Sequence, residues 1–366
     1  STNVDGAYSF SNLGPGTYTV TEELNPAWTY TTTPPAPVTG VSGQDVSGIN
    51  FGNFKNITIS GFKFDDVNGD GIWQQNEPGI ANWLIHLSNG QNTTTGIDGA
   101  YSFSNLGPGA YTVTEQINPA WTYTTTPPSP VTGVSGQDVS GINFGNFKNI
   151  TISGFKFDDV NGDGIWQQNE PGIANWLIHL SNGTNTTTDM NGAYSFSNLG
   201  PAVYTVTEEI NPAWTYTTTV PSPITAVSGQ NVGDVNFGNF KNITISGFKF
   251  DDVNGDGIWQ QNEPGIANWL IHLSNGTNTT TDMNGAYSFS NLGPAVYTVT
   301  EEINPAWTYT TTVPSPITAV SGQNVGDVNF GNFKNITISG FKFDDVNGDG
   351  IWQQNEPGIA NWLIHL

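Results

Sequence analysis

The 366-residue chain has no cysteine and no arginine. Without cysteine there is no disulfide framework, so any staple in the fold must be of another kind. All eight basic residues are lysines, set against 31 acidic ones, and the formal net charge is −23. That balance argues against nucleic acid or anionic lipid as a partner, because nothing in it neutralises phosphates. It favours cations and water. No apolar run approaches the ~20 residues of a membrane span, and no signal peptide is recognisable. A convincing helical period, a nucleophile–base pair, a phosphate loop and a transition-metal cluster are also missing, so no enzyme is expected.

What the chain does have is repetition. The twelve residues Asp66–Glu77 return as Asp159–Glu170, Asp252–Glu263 and Asp345–Glu356, each 93 residues after the last. Residues 1–55 correspond to 94–148, the second half of a unit. Complete units follow at 56–148, 149–241 and 242–334, the last two identical, and residues 335–366 repeat 56–87 and stop. Ser1 therefore falls in mid-repeat, and the chain reads as a mature or excerpted part of a longer product. Its two ends are complementary fragments of one domain. A unit of ~90 residues buries one modest core and commonly folds alone. No linker separates units around 146–149, which predicts coupled beads in a stiff rod rather than domains on a flexible string.

Within a unit the apolar period is two. Ile57 and Ile59 alternate with Thr58 and Ser60; Trp83, Ile85 and Leu87 alternate with Leu84 and His86. Tyr101 and Phe103, Tyr111 and Val113, Trp121 and Tyr123, and Ile142 and Phe144 continue the pattern, with Asn-Gly, Asp-Gly and Gly-Pro pairs between the runs. About seven short strands in ~90 residues predict an all-β chain, a tandem array of Ig-like or prealbumin-like antiparallel β-sandwiches without substantial helix.

The loop carries the clearest chemistry. Asp66–Glu77 fits the calcium-loop pattern D-x-[DN]-x-[DN]-G-x5-E at every specified position. A hard cation takes six to eight oxygens, and this spacing wraps them around it. Asp66, Asn68 and Asp70 would each give a side-chain oxygen, Ile72 its carbonyl, Gln74 a contact through water and Glu77 two oxygens. The same roles fall to Asp159, Asn161, Asp163, Ile165, Gln167 and Glu170; to Asp252, Asn254, Asp256, Ile258, Gln260 and Glu263; and to Asp345, Asn347, Asp349, Ile351, Gln353 and Glu356. Asp65 and Asp98 are weaker candidates. An alternating strand precedes the loop and Pro78-Gly79 bars an exiting helix, so the loop is EF-like but mounted on strands. About one structural calcium per complete repeat is expected, and magnesium fits less well. A solvated acidic turn without metal is the alternative.

These residues carry a resemblance. Ile59–Asp66, Glu77–Ile80, Gly99–Phe103, Tyr111–Val113 and the closing Asn143-Phe144-Gly145-Asn146 resemble SdrD B-like repeats, calcium-binding β-sandwich modules related to collagen-adhesin B-type domains. The resemblance implies an extracellular, cell-surface stalk, adhesin or filament. It also gives meaning to a trio of polar residues on apolar faces: Lys63 is in phase with Ile57 and Ile59, Glu115 with Tyr111 and Val113, and Asn146 with Ile142 and Phe144. B-type adhesin domains join such a trio by a Lys–Asn isopeptide bond that a Glu promotes. The candidate trios are Lys63/Glu115/Asn146, Lys156/Glu208/Asn239, Lys249/Glu301/Asn332 and, across the two terminal halves, Lys342 with Glu22 and Asn53. A buried Lys–Glu pair beside a hydrogen-bonded Asn is the alternative.

Nine Asn-x-Thr sequons, at Asn56, Asn92, Asn149, Asn182, Asn185, Asn242, Asn275, Asn278 and Asn335, are candidate N-glycosylation sites, some of them matches by composition alone. Strand-phased Trp83 and Trp121 read as core rather than sugar-stacking residues, and His86 as a surface or edge residue. The leading functional expectation is a structural subunit of an extracellular filament or surface stalk, joined head to tail with copies of itself, residues 335–366 of one copy completing 1–55 of the next. The alternative is an adhesin or lectin whose repeats bind a host protein or glycan.

Overall fold

A computed structural model describes all of Ser1–Leu366. The chain divides into two compact units. One holds Ser1–Lys156, Gly172–Glu209 and Val220–Phe237; the other holds Phe157–Pro171, Ile210–Thr219 and Gly238–Leu366.

In the first unit the complete repeat 56–148 has nine strands: β1 (Ile57–Asp65), β2 (Leu84–Leu87), β3 (Asn92–Thr94), β4 (Ala100–Leu106), β5 (Ala110–Tyr111), β6 (Val113–Glu115), β7 (Trp121–Tyr123), β8 (Val131–Thr132) and β9 (Phe144–Lys148). A four-stranded sheet in the order β7-β9-β1-β4 packs on a three-stranded sheet β6-β2-β3, and β5 pairs with β8. Ile57, Ile59, Tyr101, Phe103 and Phe144 from the first sheet meet Ile85, Leu87 and Val113 from the second in one core. Each such side chain stabilises the fold by about 1.5–3 kcal/mol when fully buried. The repeat 242–334, within the second unit, has the same strand order and the same core. The all-β, helix-free sandwich is as the period of two predicts. Two features differ from that expectation: there are nine strands, and β9 runs parallel to β1, pairing Phe144 with Lys63 and Asn146 with Asp65.

β1 shows how the alternation works and where it stops. Ile57, Ile59, Gly61 and Lys63 are buried between the sheets. A Cβ on Gly61 would stand 1.8 Å from the Ile142 carbonyl oxygen, so only glycine lets the 139–142 segment lie against the strand here. Phe64 points the other way, yet it is only 1% exposed. The indole of Trp73, from the loop that follows, stacks on it with centroids 5.7 Å apart and also reaches Phe62 at 4.7 Å. Strand phase sends Phe62 and Phe64 to solvent; the loop supplies a roof.

The terminal halves are different. Residues 1–55 keep two short ladders, Thr17–Tyr18 with Val38–Thr39 and Trp28–Tyr30 with Asn53–Lys55. Residues 335–366 form no strand and hold a single bridge, Phe343 with Gly358.

Candidate metal loop, buried trio and repeat joint

The loop is built by its own amides. Gly69 and Gly71 have φ of +74° and +78°, a region that glycine enters at little cost. The chain there curls so that N–H groups converge on carboxylates. Asp66 Oδ1 accepts from Gly69 N (2.7 Å) and Asp70 N (3.1 Å), and its Oδ2 accepts from Gly71 N (2.7 Å). Asp70 Oδ1 accepts from Ile72 N, and Glu77 accepts from Val67 N and Gln74 N. The Asn68 and Gln74 side-chain amides both donate to Asp70 Oδ2. Asp66 and Glu77 are buried.

The donor set is all hard oxygen: three carboxylates, two amide oxygens and a main-chain carbonyl, which is the chemistry of a calcium site. Crowding shows in Glu77, whose carboxyl is pushed above its ordinary range by burial and then by the nearby Asp66 and Asp70 charges. In the later copies Gln260 Oε1 and Glu356 Oε1 are buried oxygens without a protein partner, the kind of orphan that a cation or water satisfies. These residues fit the ion. No three acidic or histidine side chains stand together as a closed metal cluster, because the oxygens are turned to the loop's own N–H donors. Asp66 Oδ2, Asp70 Oδ1 and both Glu77 oxygens accept one bond each and keep a further lone pair. Of the weaker candidates, Asp98 caps its own turn by accepting from Ala100 N, and Asp65 faces elsewhere.

The trio meets between the sheets. Lys63 and Asn146 are 0% exposed. Lys63 Nζ lies 3.3 Å from Glu115 Oε2, and the same oxygen accepts from Asn146 Nδ2 at 3.0 Å. The lysine also donates to the Phe144 carbonyl and sits 4.9 Å over the Trp83 ring. Burial pulls the Lys63 pKa down to about 8 against the opposing pull of Glu115, and burial raises Glu115. Both shifts favour the neutral forms. Asn146 Oδ1 has no partner. The arrangement recurs: Lys156 is 3.1 Å from Glu208; Lys249 is 3.1 Å from Glu301, which accepts from Asn332 at 3.0 Å. Asn239 is likewise fully buried. In the terminal halves Asn53 Nδ2 donates to Glu22 Oε2 at 2.7 Å, and Lys342 sits 4.9 Å over Trp362.

The joint between repeats was not legible from motifs. Asn149 follows β9 directly. Its Oδ1 accepts from Thr122 of the preceding repeat at 2.6 Å, and its Nδ2 donates to Asn198 of its own repeat at 2.7 Å. Ser228 of the same repeat accepts from Lys148 N (2.7 Å) and donates to Asp65 Oδ1 (2.5 Å), while its N–H donates to the Val67 carbonyl. A Cβ on Gly69 would lie 2.0 Å from Pro201. The acidic loop is thus seated against the following repeat. In the second unit Asn242, Ser321 and Asp158 repeat the same bonds. Asp65, offered as a metal ligand, is a joint residue in this structure.

Residues 57–139, 150–233 and 243–326 match the family model of the SdrD B-like domain. The chain belongs to that family. Each match ends before β9 or its counterpart, so Asn146, Asn239 and Asn332 lie outside the matched segments. Serine-aspartate repeat-containing protein F of Staphylococcus epidermidis is 30% identical over 86% of this chain and 23% of its own length. Serine-aspartate repeat-containing protein D of Staphylococcus aureus (strain MW2) is 26% identical over the whole chain and 32% of its own. The chain spans a quarter to a third of the length of these SdrD B-like relatives. Among solved structures, BcpA, the major pilin subunit of Bacillus cereus, aligns with 77% of this chain and all of its own at 14% identity and a TM-score of 0.36.

Proposed function

We propose that this chain is a structural segment of a cell-surface stalk or extracellular filament, in which SdrD B-like sandwiches are joined head to tail and each is stapled twice. The joint is the observation that carries the reading. The Thr122–Asn149 and Ser228–Asp65 bonds recur as Thr215–Asn242 and Ser321–Asp158, so consecutive repeats meet in one repeated geometry rather than across a flexible linker. A repeated contact that does not close builds a rod or fibre.

The first staple is calcium, held by Asp66, Asn68, Asp70, Ile72, Gln74 and Glu77 and by their counterparts. Bound only by the folded loop, it adds its binding free energy to the repeat. Asp65 and Val67, beside these ligands, are hydrogen-bonded to Ser228, so the ion also stiffens the joint.

The second staple is covalent. Neutral Lys63 Nζ attacks Asn146 Cγ; the Nζ–Cγ amide forms, the Cγ–Nδ2 bond breaks and ammonia leaves. Protonated Glu115 lends its proton to the departing nitrogen and recovers one from the lysine. Two buried groups, Lys63 Nζ and Asn146 Nδ2, held within reach of one Glu115 oxygen replace an external catalyst by proximity. Lys156/Asn239 and Lys249/Asn332 react likewise. Where a half repeat meets a complementary half, Lys342 reaches Asn53 and Glu22 of a like copy.

Electron microscopy of native material with and without a calcium chelator tests the reading. Uniform rods or fibres that soften or fray on chelation are expected. Short dispersed particles in calcium would overturn the filament and favour a stalk or the adhesin alternative, for which Trp73, 39% exposed beside Phe62, and Tyr123, 46% exposed, are available aromatic surfaces.

A further inference from the structure

The nine sequons share a motif but not an environment, and the structure divides them. Asn56, Asn149 and Asn242 are half-buried at the joints with both side-chain atoms engaged. Their Oδ1 atoms accept from Thr29, Thr122 and Thr215 at 2.6–2.7 Å, and their Nδ2 atoms donate to Asn105, Asn198 and Asn291 at 2.6–2.7 Å. The second Nδ2 hydrogen faces the Pro26, Pro119 and Pro212 carbonyls of the preceding repeat at 3.4–3.5 Å, so a sugar replacing either hydrogen would break one of these bonds and crowd the joint. Asn335 makes the first half of the same set, with Thr308 and the Pro305 carbonyl.

The others stand on the hairpin of β2 and β3, at the edge of the three-stranded sheet. Asn92 on β3 and its counterparts Asn185 and Asn278 are exposed, as are Asn182 and Asn275 in the hairpin turns. Each is held through its oxygen alone. Asn182 Oδ1 accepts both the N–H and the hydroxyl of Thr184 at 2.9 and 2.7 Å, and Asn275 does the same with Thr277. Asn92, Asn185 and Asn278 Oδ1 lie 2.7–2.9 Å from Nδ1 of His86, His179 and His272. All five Nδ2 atoms are left toward solvent, with the sequon already folded back on itself at Asn182 and Asn275.

We infer that the hairpin asparagines Asn92, Asn182, Asn185, Asn275 and Asn278 are the N-glycan acceptors, and that the joint asparagines are structural. The co-reactant is a lipid-diphosphate-linked oligosaccharide presented by a membrane transferase. Nδ2 attacks the anomeric carbon, the N–C bond forms, the anomeric C–O bond to the diphosphate breaks, and Nδ2 gives up one proton as the lipid diphosphate leaves. A glycan on β3 would also cover an open sheet edge, a place where strands of other molecules otherwise pair.

Peptide mapping by mass spectrometry of protein isolated from its native surface tests this. Repeats 149–241 and 242–334 are identical, so their hairpin peptides are read together. The expected result is sugar on the hairpin peptides and none on the peptide that begins at the joint asparagine. Bare hairpins, or sugar on Asn149 or Asn242, overturn the assignment. The double variant Thr184→Val, Thr277→Val loses sugar at Asn182 and Asn275 with an unchanged circular dichroism spectrum; retained sugar there also overturns it.

Discussion

Residues 335–366 and 56–87 have one sequence and two outcomes. In the complete repeat Ile57, Ile59, Trp83 and Ile85 are 0–8% exposed; in the half repeat their counterparts Ile336, Ile338, Trp362 and Ile364 are 60–73% exposed and no strand forms. The twelve-residue loop behaves otherwise. In both places its first aspartate accepts from the amides three, four and five residues on, and its tryptophan Nε1 donates to the final glutamate carbonyl. The loop is written in local sequence. The sheet is a contract between halves, since β1 has only β4 and β9 to pair with, and both come from the second half.

The largest expected effect attacks that difference directly. Amide exchange on dilute chain should leave Ile336 and Ile338 unprotected while Ile57 and Ile59 are protected up to the limit set by global unfolding. Raising the concentration until copies meet should extend protection to the first pair. Identical exchange at every concentration would mean that a half repeat is not completed by another copy.

Next in size is the trio. Denatured chain should be lighter by one ammonia for each joined pair, three for the complete repeats, and a covalent ladder should appear once Lys342 meets Asn53 of another copy. Lys63→Met should remove one of the three and destabilise its repeat by about 3–5 kcal/mol, because buried Glu115 then loses its cationic partner and keeps only the Asn146 amide. A full, unreduced mass for every chain would refute the bond.

The smallest effect separates one complete repeat from another. His179 and His272 are held above the ordinary histidine range by hydrogen bonds to Asn185 and Asn278 and then to Glu209 and Glu302; repeat 56–148 has Gln116 in that place. A raised folded value means stability that is fully present below the unfolded value of 6.5 and is lost as pH rises through the folded one. These groups are exposed, so the gain is about a few tenths of a kcal/mol. Melting curves across that window should show a slope that Glu209→Gln with Glu302→Gln abolishes.

What could be seen in the sequence follows the same division. The loop was fully legible as a motif because its geometry depends on residues within five positions. The buried faces were legible because strand side chains alternate. Lys63 and Glu115 betrayed themselves by standing in phase with isoleucine, tyrosine and valine. Four things were hidden. Alternation has no direction, so the parallel β9–β1 pair looked like any other. It also has no view of what covers the second face, so phase alone sends Phe62 and Phe64 to solvent although Trp73 packs over them. Asp65 sits in an acidic run that suggests a ligand, yet its partner Ser228 lies 163 residues away. Nor does an Asn-x-Thr match say whether its amide is already taken.

The parallel pair has a mechanical meaning. β1 opens each repeat and β9 closes it, and the two lie side by side in the same direction. Tension along an array enters at the start of β1 and leaves at the end of β9, so it pulls these strands past each other. Their hydrogen bonds are then loaded together in shear instead of being unzipped one at a time. Lys63 is on one of these strands and Asn146 on the other. A bond between them would let the pull cross from β1 to β9 directly, bypassing everything between those two residues, and the rest of the sandwich would hang slack beside a short, inextensible thread.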